Sequence, residues 1–109
     1  MAKEQENNLT VIMQVMTQAG EAKNDAMHAI QAAKANDFRQ ALSYLDQANI
    51  ELNKAHTTQS KLLTQIANGQ HTKLDLYLIH AEDHLMGAIT FIDLAKEFVD
   101  LYQKLANNY

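Results

Sequence analysis

Apolar residues recur at alternating steps of three and four along this 109-residue chain, and no proline interrupts them. Such spacing places the apolar side chains on one stripe of an α-helix, and its persistence over many turns is typical of helices that pack side by side. The first stripe is rich in alanine, which allows neighbouring helices to approach closely. It comprises Ile12, Val15, Ala19, Ala22, Ala26, Ala29 and Ala33. The second comprises Phe38, Ala41, Leu45, Ala48, Leu52, Ala55, Leu62 and Ile66, with Gln59 in one slot.

Capping signals divide the chain into helices. Asn36-Asp37 separates the first two, with Asp37 as N-cap and Gln40 three residues later. Asn68-Gly69 ends the second helix, because glycine tolerates the left-handed conformation there. Thr72 with Asp75 forms a capping box for the third. The predicted helices cover about 8–35, 38–68 and 72–106.

The connections are short, which predicts an all-α fold: an antiparallel, up-down-up three-helix bundle in a single domain over residues 1–109. The third helix is too apolar for such a bundle alone, because it carries two apolar stripes. One consists of Leu78, Ala81, Leu85, Ala88, Ile92, Ala95 and Val99. The other consists of Leu76, Gly87, Phe91, Leu94, Phe98, Leu101 and Leu105. Two partner helices cover only part of this arc, so we expect the remainder to pack against another subunit.

Composition excludes several classes of function. The formal net charge is −4 and the basic residues are scattered, which argues against nucleic-acid binding. No basic amphipathic helix or long apolar run predicts membrane insertion. The polar first ten residues do not resemble a signal peptide, so a cytoplasmic location is expected. There is no cysteine and no glycine-rich phosphate loop, so any phosphate chemistry must be covalent or use a carrier.

One polar cluster lies on an apolar stripe. His80, Asp83 and His84 are spaced i, i+3 and i+4, so they share a helix face that continues into Gly87. Ionisable groups in such a place are costly unless they are paired or exposed, which marks a candidate site. Gly87 costs about 1 kcal/mol of helix stability relative to alanine. A close approach of another group to the helix would explain why glycine stands at this position.

For the remaining histidines and Glu82, the favoured interpretation is a structural one with no part in the chemistry. His28 and His71 are predicted to lie on the surface, and Glu82 to be solvated on the polar face of the third helix. His56 lies beside the second stripe and is predicted to be partly buried and hydrogen-bonded, with a possible approach to the third helix.

The segment from Leu78 to Met86 resembles the signature of the lactose/cellobiose-type enzyme IIA proteins of the bacterial sugar phosphotransferase system. Further segments resemble the first-helix motif, the first turn, the second helix and the C-terminal end of that family. These are 18–23, 35–38, 48–59, and 93–97 followed by Leu101-Tyr102. The resemblance covers about residues 12–105.

The resemblance implies a homotrimer, a nine-helix bundle, of phosphocarrier subunits. It places the phosphorylated histidine at His80 and a metal-associated aspartate of the trimer centre at Asp83. It implies transfer from the phosphocarrier HPr to His80, and then to a cysteine of the cognate enzyme IIB, for uptake of a β-linked disaccharide or oligosaccharide. Three carboxylates on a threefold axis repel one another, which favours one shared Mg²⁺ per trimer in a structural role. His84 is a possible auxiliary, as a hydrogen-bond donor to the phosphoryl group.

Two other classes remain open on the residues alone. One is a metal-binding helical bundle that uses His56, His80, Asp83 and His84. The other is a non-catalytic helical adaptor in which His80 is incidental. The sequence does not identify the transported sugar.

Overall fold

Three helices account for nearly all of the described chain. A computed structural model describes residues 2–69 and 76–108, with side chains from residue 9 onward. Helix α1 runs over Ala2–Lys34, α2 over Phe38–Ala67 and α3 over Leu76–Asn108. The described residues include no strand, which confirms the all-α class. None of these helices has an apolar stretch long enough to cross a membrane.

The end of α1 and both ends of α2 lie within one residue of the predicted boundaries. α1 begins at Ala2, six residues before the predicted start at 8. The first eight residues lack apolar periodicity, but they are mostly helix formers without a breaker. Periodicity therefore located α1 from about residue 8 onward and missed its first turns. The proposed capping box of Thr72 and Asp75 lies outside the described residues, and α3 continues two residues beyond the predicted end at 106.

The turn between α1 and α2 forms as its residues predict. The Asp37 side chain accepts a hydrogen bond from the backbone N–H of Gln40 at 3.2 Å, which caps α2. Asn36 has a φ of 65°, a left-handed conformation that asparagine tolerates better than most residues. At the far end of α2, Asn68 is the C-cap and Gly69 follows with a φ of 86°. The predicted helix stop is confirmed.

Two core clusters fix the direction of each helix. The upper cluster joins the C-terminal half of α1 to the beginning of α2 and the middle of α3; it includes Ala22, Ala33, Ala41, Ala48, Ile92 and Val99. The lower cluster joins the N-terminal half of α1 to the end of α2 and the beginning of α3; it is Ile12, Val15, Ala55, Leu62, Leu78, Ala81 and Leu85. As α1 ascends, α2 descends and α3 ascends again. The up-down-up topology is confirmed.

The two apolar stripes of α3 have different environments. Every member of the stripe from Leu78 to Val99 is buried against α1 and α2. In the other stripe, Leu76, Leu94, Phe98, Leu101 and Leu105 are 44–78 % exposed. We call the set of Leu76, Gly87, Phe91, Leu94, Phe98, Leu101 and Leu105 the outer stripe. The predicted surplus of apolar surface on α3 is confirmed, whereas its cover by another subunit stays a prediction.

The core also contains a buried carboxylate that the stripe pattern did not predict. Glu51 on α2 is buried and accepts hydrogen bonds from Gln47 Nε2 at 3.0 Å and Lys54 Nζ at 3.4 Å. Glu21 on α1 faces it. A hydrogen bond with the Glu51 carboxyl, with desolvation and the negative charges of Glu51 and Asp25, raises the pKa of Glu21; Lys54 opposes the rise.

Candidate functional site

The predicted cluster of His80, Asp83 and His84 lies near the beginning of α3. His80 and Asp83 are exposed, and His84 is half-buried. The two imidazole rings meet edge to face, with centroids 4.5 Å apart and an interplanar angle of 86°. Their Nε2 atoms are 3.1 Å apart, which is hydrogen-bond distance. The i, i+4 spacing therefore brings the two histidines into direct contact.

This contact restricts the protonation of the two rings. A hydrogen bond between two imidazole nitrogens needs one N–H donor and one lone pair, so one Nε2 carries a proton and the other does not. The pair therefore presents a nucleophilic nitrogen beside a donor. When the proton is on His84, the lone pair on Nε2 of the exposed His80 accepts this hydrogen bond, and it becomes available to an electrophile once that bond opens. This arrangement suits a histidine that forms a bond to an electrophile arriving from solvent.

Large apolar side chains close to His80 in sequence are exposed at the surface. They are Leu76, Tyr77, Ile79 and Met86, all within about two turns of His80 on α3, and we call this set the apolar rim. Large exposed apolar groups around polar chemistry are typical of a surface that another protein covers. Once covered, such a rim would also exclude water from a labile bond on His80.

Asp83 is an exposed carboxylate on the same side of α3 as the outer stripe. Among the described residues, no cation forms an ion pair with it. The described part of the chain also has no group of three histidine, cysteine, aspartate or glutamate residues that could hold a metal ion. Mg²⁺ prefers several oxygen ligands, and one chain offers one carboxylate here. Asp83 therefore fits a metal only where copies of the chain bring several carboxylates together.

Gly87 has no close neighbour that explains the absence of a side chain. A Cβ atom built there would meet only Lys23 Nζ, at 4.0 Å, which is an ordinary contact with the end of a flexible side chain. The close approach expected at Gly87 is therefore not made by the described part of this chain.

The expectation that Glu82 is solvated was wrong. Glu82 is half-buried, and its Oε2 accepts a hydrogen bond from Nε2 of Gln59 on α2. Gln59 itself is 4 % exposed, because it occupies a slot in the inward stripe of α2. The sequence contained the signal, since a glutamine in an apolar stripe requires a polar partner on the facing helix.

Two further histidines, His28 and His56, lie apart from the cluster. His56 is exposed, so its predicted burial was wrong; it lines a shallow groove on α2 together with Thr57, Ser60 and Lys61. His28 is half-buried with its ring 5.2 Å from that of Tyr44, so its prediction as a surface residue was only partly right. His71 lies outside the described residues.

Comparison with known proteins places this chain in one family. The family of lactose/cellobiose-specific IIA subunits of the phosphotransferase system matches residues 10–103. A cellobiose-specific EIIA component of Lactococcus lactis is 47 % identical over 95 residues, covering 87 % of this chain and 82 % of that protein.

Two solved structures share the fold. A cellobiose-specific enzyme IIA of Bacillus anthracis superposes with a TM-score of 0.88 at 39 % identity, covering 92 % of each chain. The chitobiose IIA of Escherichia coli, solved in complex with HPr, superposes with a TM-score of 0.79 at 35 % identity, covering 89 % of this chain and 94 % of that one. The chain therefore belongs to the lactose/cellobiose-specific IIA family, and it is a phosphotransferase component of a bacterial sugar uptake system.

Proposed function

We propose that this chain accepts a phosphoryl group from phosphorylated HPr on Nε2 of His80 and passes it to a cysteine of its enzyme IIB partner. The observation that carries the proposal is the 3.1 Å contact between the Nε2 atoms of His80 and His84 at the exposed beginning of α3. Family membership supports the HPr partner, since a relative of 35 % identity was solved with HPr.

The chemistry consists of two transfers at one nitrogen. In the first, the lone pair of His80 Nε2 attacks phosphorus, a phosphorus–nitrogen bond forms, and the bond to the donor histidine of HPr breaks. In the second, a thiolate of enzyme IIB attacks, a phosphorus–sulfur bond forms, and the bond to His80 breaks. Phosphoryl transfer passes through a loose, in-line transition state, so the protein mainly positions the groups and stabilises charge.

We assign His84 an auxiliary role in both transfers. Before phosphorylation, the Nε2–H of His84 donates to Nε2 of His80 and leaves the proton of His80 on Nδ1. When the lone pair of His80 Nε2 forms the bond to phosphorus, it no longer accepts the His84 N–H, which becomes available to a phosphoryl oxygen. A hydrogen bond to a charged oxygen is stronger than one between neutral groups, so His84 would favour the phosphorylated state.

The sugar is proposed to be a β-linked disaccharide or oligosaccharide. The 47 % identity with a cellobiose-specific component supports this class. The chain itself would contact only proteins, through the apolar rim of Leu76, Tyr77, Ile79 and Met86.

We further propose that the chain acts as a homotrimer with α3 at its centre. The exposed outer stripe and the unexplained Gly87 both support a close approach by copies of the chain. Asp83 lies on the same side of α3, so three Asp83 carboxylates would converge on the axis. One Mg²⁺ held by them would remove their mutual repulsion and would serve a structural role.

A labelling assay tests the phosphocarrier role. The chain is incubated with enzyme I, HPr and phosphoenolpyruvate, and its mass is measured before and after acid treatment. We expect an acid-labile phosphate on the wild-type chain and on His56→Gln, whose histidine is also exposed but lies on α2. We expect none on His80→Gln. Labelling of His80→Gln would contradict the assignment, and an unlabelled wild-type chain would favour a non-catalytic adaptor.

Chelation tests the metal. If Mg²⁺ holds the three carboxylates together, a chelator should shift the sedimenting species from trimer to monomer, and Asp83→Asn should make assembly insensitive to the chelator. A wild-type trimer that is unaffected by chelation would contradict a structural ion.

A further inference from the structure

The contact between Gln59 and Glu82 is the polar link between α2 and α3 at the level of the site. Gln59 is 4 % exposed and donates from Nε2 to Oε2 of the half-buried Glu82. Around it lies the lower core cluster, whose members are all apolar. A carboxylate in such surroundings is costly unless a donor satisfies it, and Gln59 is that donor.

Apolar packing and this hydrogen bond both hold α3 against α2 at this level. The lower-core residues within about one turn of the link are Ala55 and Leu62 on α2 and Leu78, Ala81 and Leu85 on α3. Hydrophobic burial is non-directional, since its energy depends on the area removed from water. A hydrogen bond has a preferred distance and angle, and it therefore adds a directional restraint against rotation of α3.

The position of Glu82 on α3 connects this link to the site. Glu82 follows His80 by two residues, and at about 100° per residue their side chains point about 200° apart. Holding Glu82 against α2 therefore turns His80 to the opposite, outward side of α3. We propose that Gln59 and Glu82 are positioning residues for His80: their hydrogen bond sets the rotation of α3 at which His80 faces the incoming phosphoryl donor. This inference rests on the proposed role of His80.

One oxygen of the Gln59 side chain is left without a partner by this link, and two substitutions are therefore expected to differ in effect. Oε1 of Gln59 is buried and has no hydrogen-bond partner. The carboxylate of Glu82 can only accept, whereas an amide at that position can both accept from Nε2 and donate to Oε1. Glu82→Gln should therefore keep the link and satisfy the unpaired oxygen. Gln59→Glu should break the link, because it places two carboxylates against each other.

The experiment measures the rate of phosphorylation by phosphorylated HPr as its concentration is varied, for four variants and the wild type. Gln59→Glu should lower the maximal rate by about tenfold to a hundredfold, because a nucleophile that is held away from the reactive orientation attacks phosphorus slowly. The concentration of HPr at half-maximal rate should stay within about twofold, because the apolar rim is unchanged. Glu82→Gln should retain the wild-type rate and melt at a higher temperature.

The decisive variant exchanges the two groups. Gln59→Glu combined with Glu82→Gln restores an amide–carboxylate pair with reversed roles, so we expect it to recover the rate to within about threefold of the wild type. Gln65→Leu, an exposed glutamine on α2, is the control and should behave as the wild type. A spectroscopic measurement of the His80 ring by NMR should show the wild-type environment in the exchanged variant and a shifted one in Gln59→Glu.

The possible results distinguish the positioning role from the proposed function. A Gln59→Glu variant that is phosphorylated at the wild-type rate would overturn the positioning role. So would an exchanged variant that folds but stays as slow as Gln59→Glu. A wild-type chain that carries no phosphate on His80 would instead overturn the proposed function, and the two failures are therefore distinguishable.

Discussion

The outer stripe of α3 leads to a quantitative prediction for Leu101→Ala. Leu101 is 52 % exposed in the isolated chain, so its truncation should hardly affect the fold of one subunit. In a trimer with α3 at the centre, the same side chain becomes buried. We therefore expect Leu101→Ala to weaken assembly while leaving the helical content unchanged.

The magnitude follows from the exposed fraction. Burying a leucine completely contributes about 1.5–3 kcal/mol, so covering the half that is still exposed contributes roughly 1 kcal/mol in each subunit. A trimer contains three copies, so the variant loses roughly 3 kcal/mol of assembly energy. Since 1.4 kcal/mol corresponds to a factor of ten, the association constant for three subunits should fall about a hundredfold.

Sedimentation equilibrium across a range of protein concentrations measures that constant. The matched control is Leu63→Ala, because Leu63 is 50 % exposed but lies on α2. It should assemble as the wild type does. If Leu101→Ala assembled as tightly as Leu63→Ala, the outer stripe would not be the assembly surface, and the argument from surplus apolar area would fail.

Three further predictions concern the single chain. Leu85→Ala removes a side chain that is 2 % exposed in the lower core and should lower the free energy of unfolding by about 3 kcal/mol, as measured by urea denaturation; a loss below about 1 kcal/mol would contradict the packing described. Asn36→Ala forces alanine into a left-handed conformation and should cost about 1 kcal/mol, whereas Asn36→Gly should retain stability; equal melting temperatures for the two variants would refute the role of this φ. The pKa of Glu21 is raised, chiefly by its hydrogen bond with Glu51, so the folded state binds this proton more tightly than the unfolded state does. The resulting stability is complete below the ordinary glutamate pKa and is lost as pH rises through the raised pKa. Glu21→Gln stays neutral and should flatten that loss; stability profiles of wild type and variant that run parallel across this pH range would count against the pair.

The sequence predicted the fold well because one physical signal dominates it. Every member of the predicted α1 stripe from Ile12 to Ala33 is buried, and the alanines there allow the close packing of α1 with both other helices. The turn at Asn36-Asp37 was predictable because its conformation depends on local chemistry. A stripe or a turn of this kind can be predicted from the local sequence alone.

The contact between the two histidines of the candidate site was predictable from sequence, but the contacts around them were not. The i, i+4 spacing was enough to place His80 against His84, since both lie on one helix. The environment of Glu82 depends on α2, and a helical wheel of α3 alone groups it with solvated acids. The prediction for His56 erred in the opposite direction. It was predicted to be partly buried because it lies beside an apolar stripe, but its side chain is exposed.

Glu51 marks a different limit of prediction from sequence. It is adjacent to Leu52 on α2, and the periodicity favoured Leu52 for the core. The structure buries Glu51 because Gln47 and Lys54 supply its hydrogen bonds and Glu21 faces it from α1. Such a network becomes visible only when the relative rotation of two helices is known.

The phosphoryl group is expected on His80 and not on its neighbour His84. The direct measurement is to phosphorylate the wild-type chain with HPr, cleave it under alkaline conditions that preserve phosphohistidine, and locate the phosphate by tandem mass spectrometry within the peptide that contains both residues. We expect fragments that place the phosphate on His80, with His84 unmodified. Fragments that place it on His84, or on any histidine outside α3, would refute His80 as the phosphorylated residue.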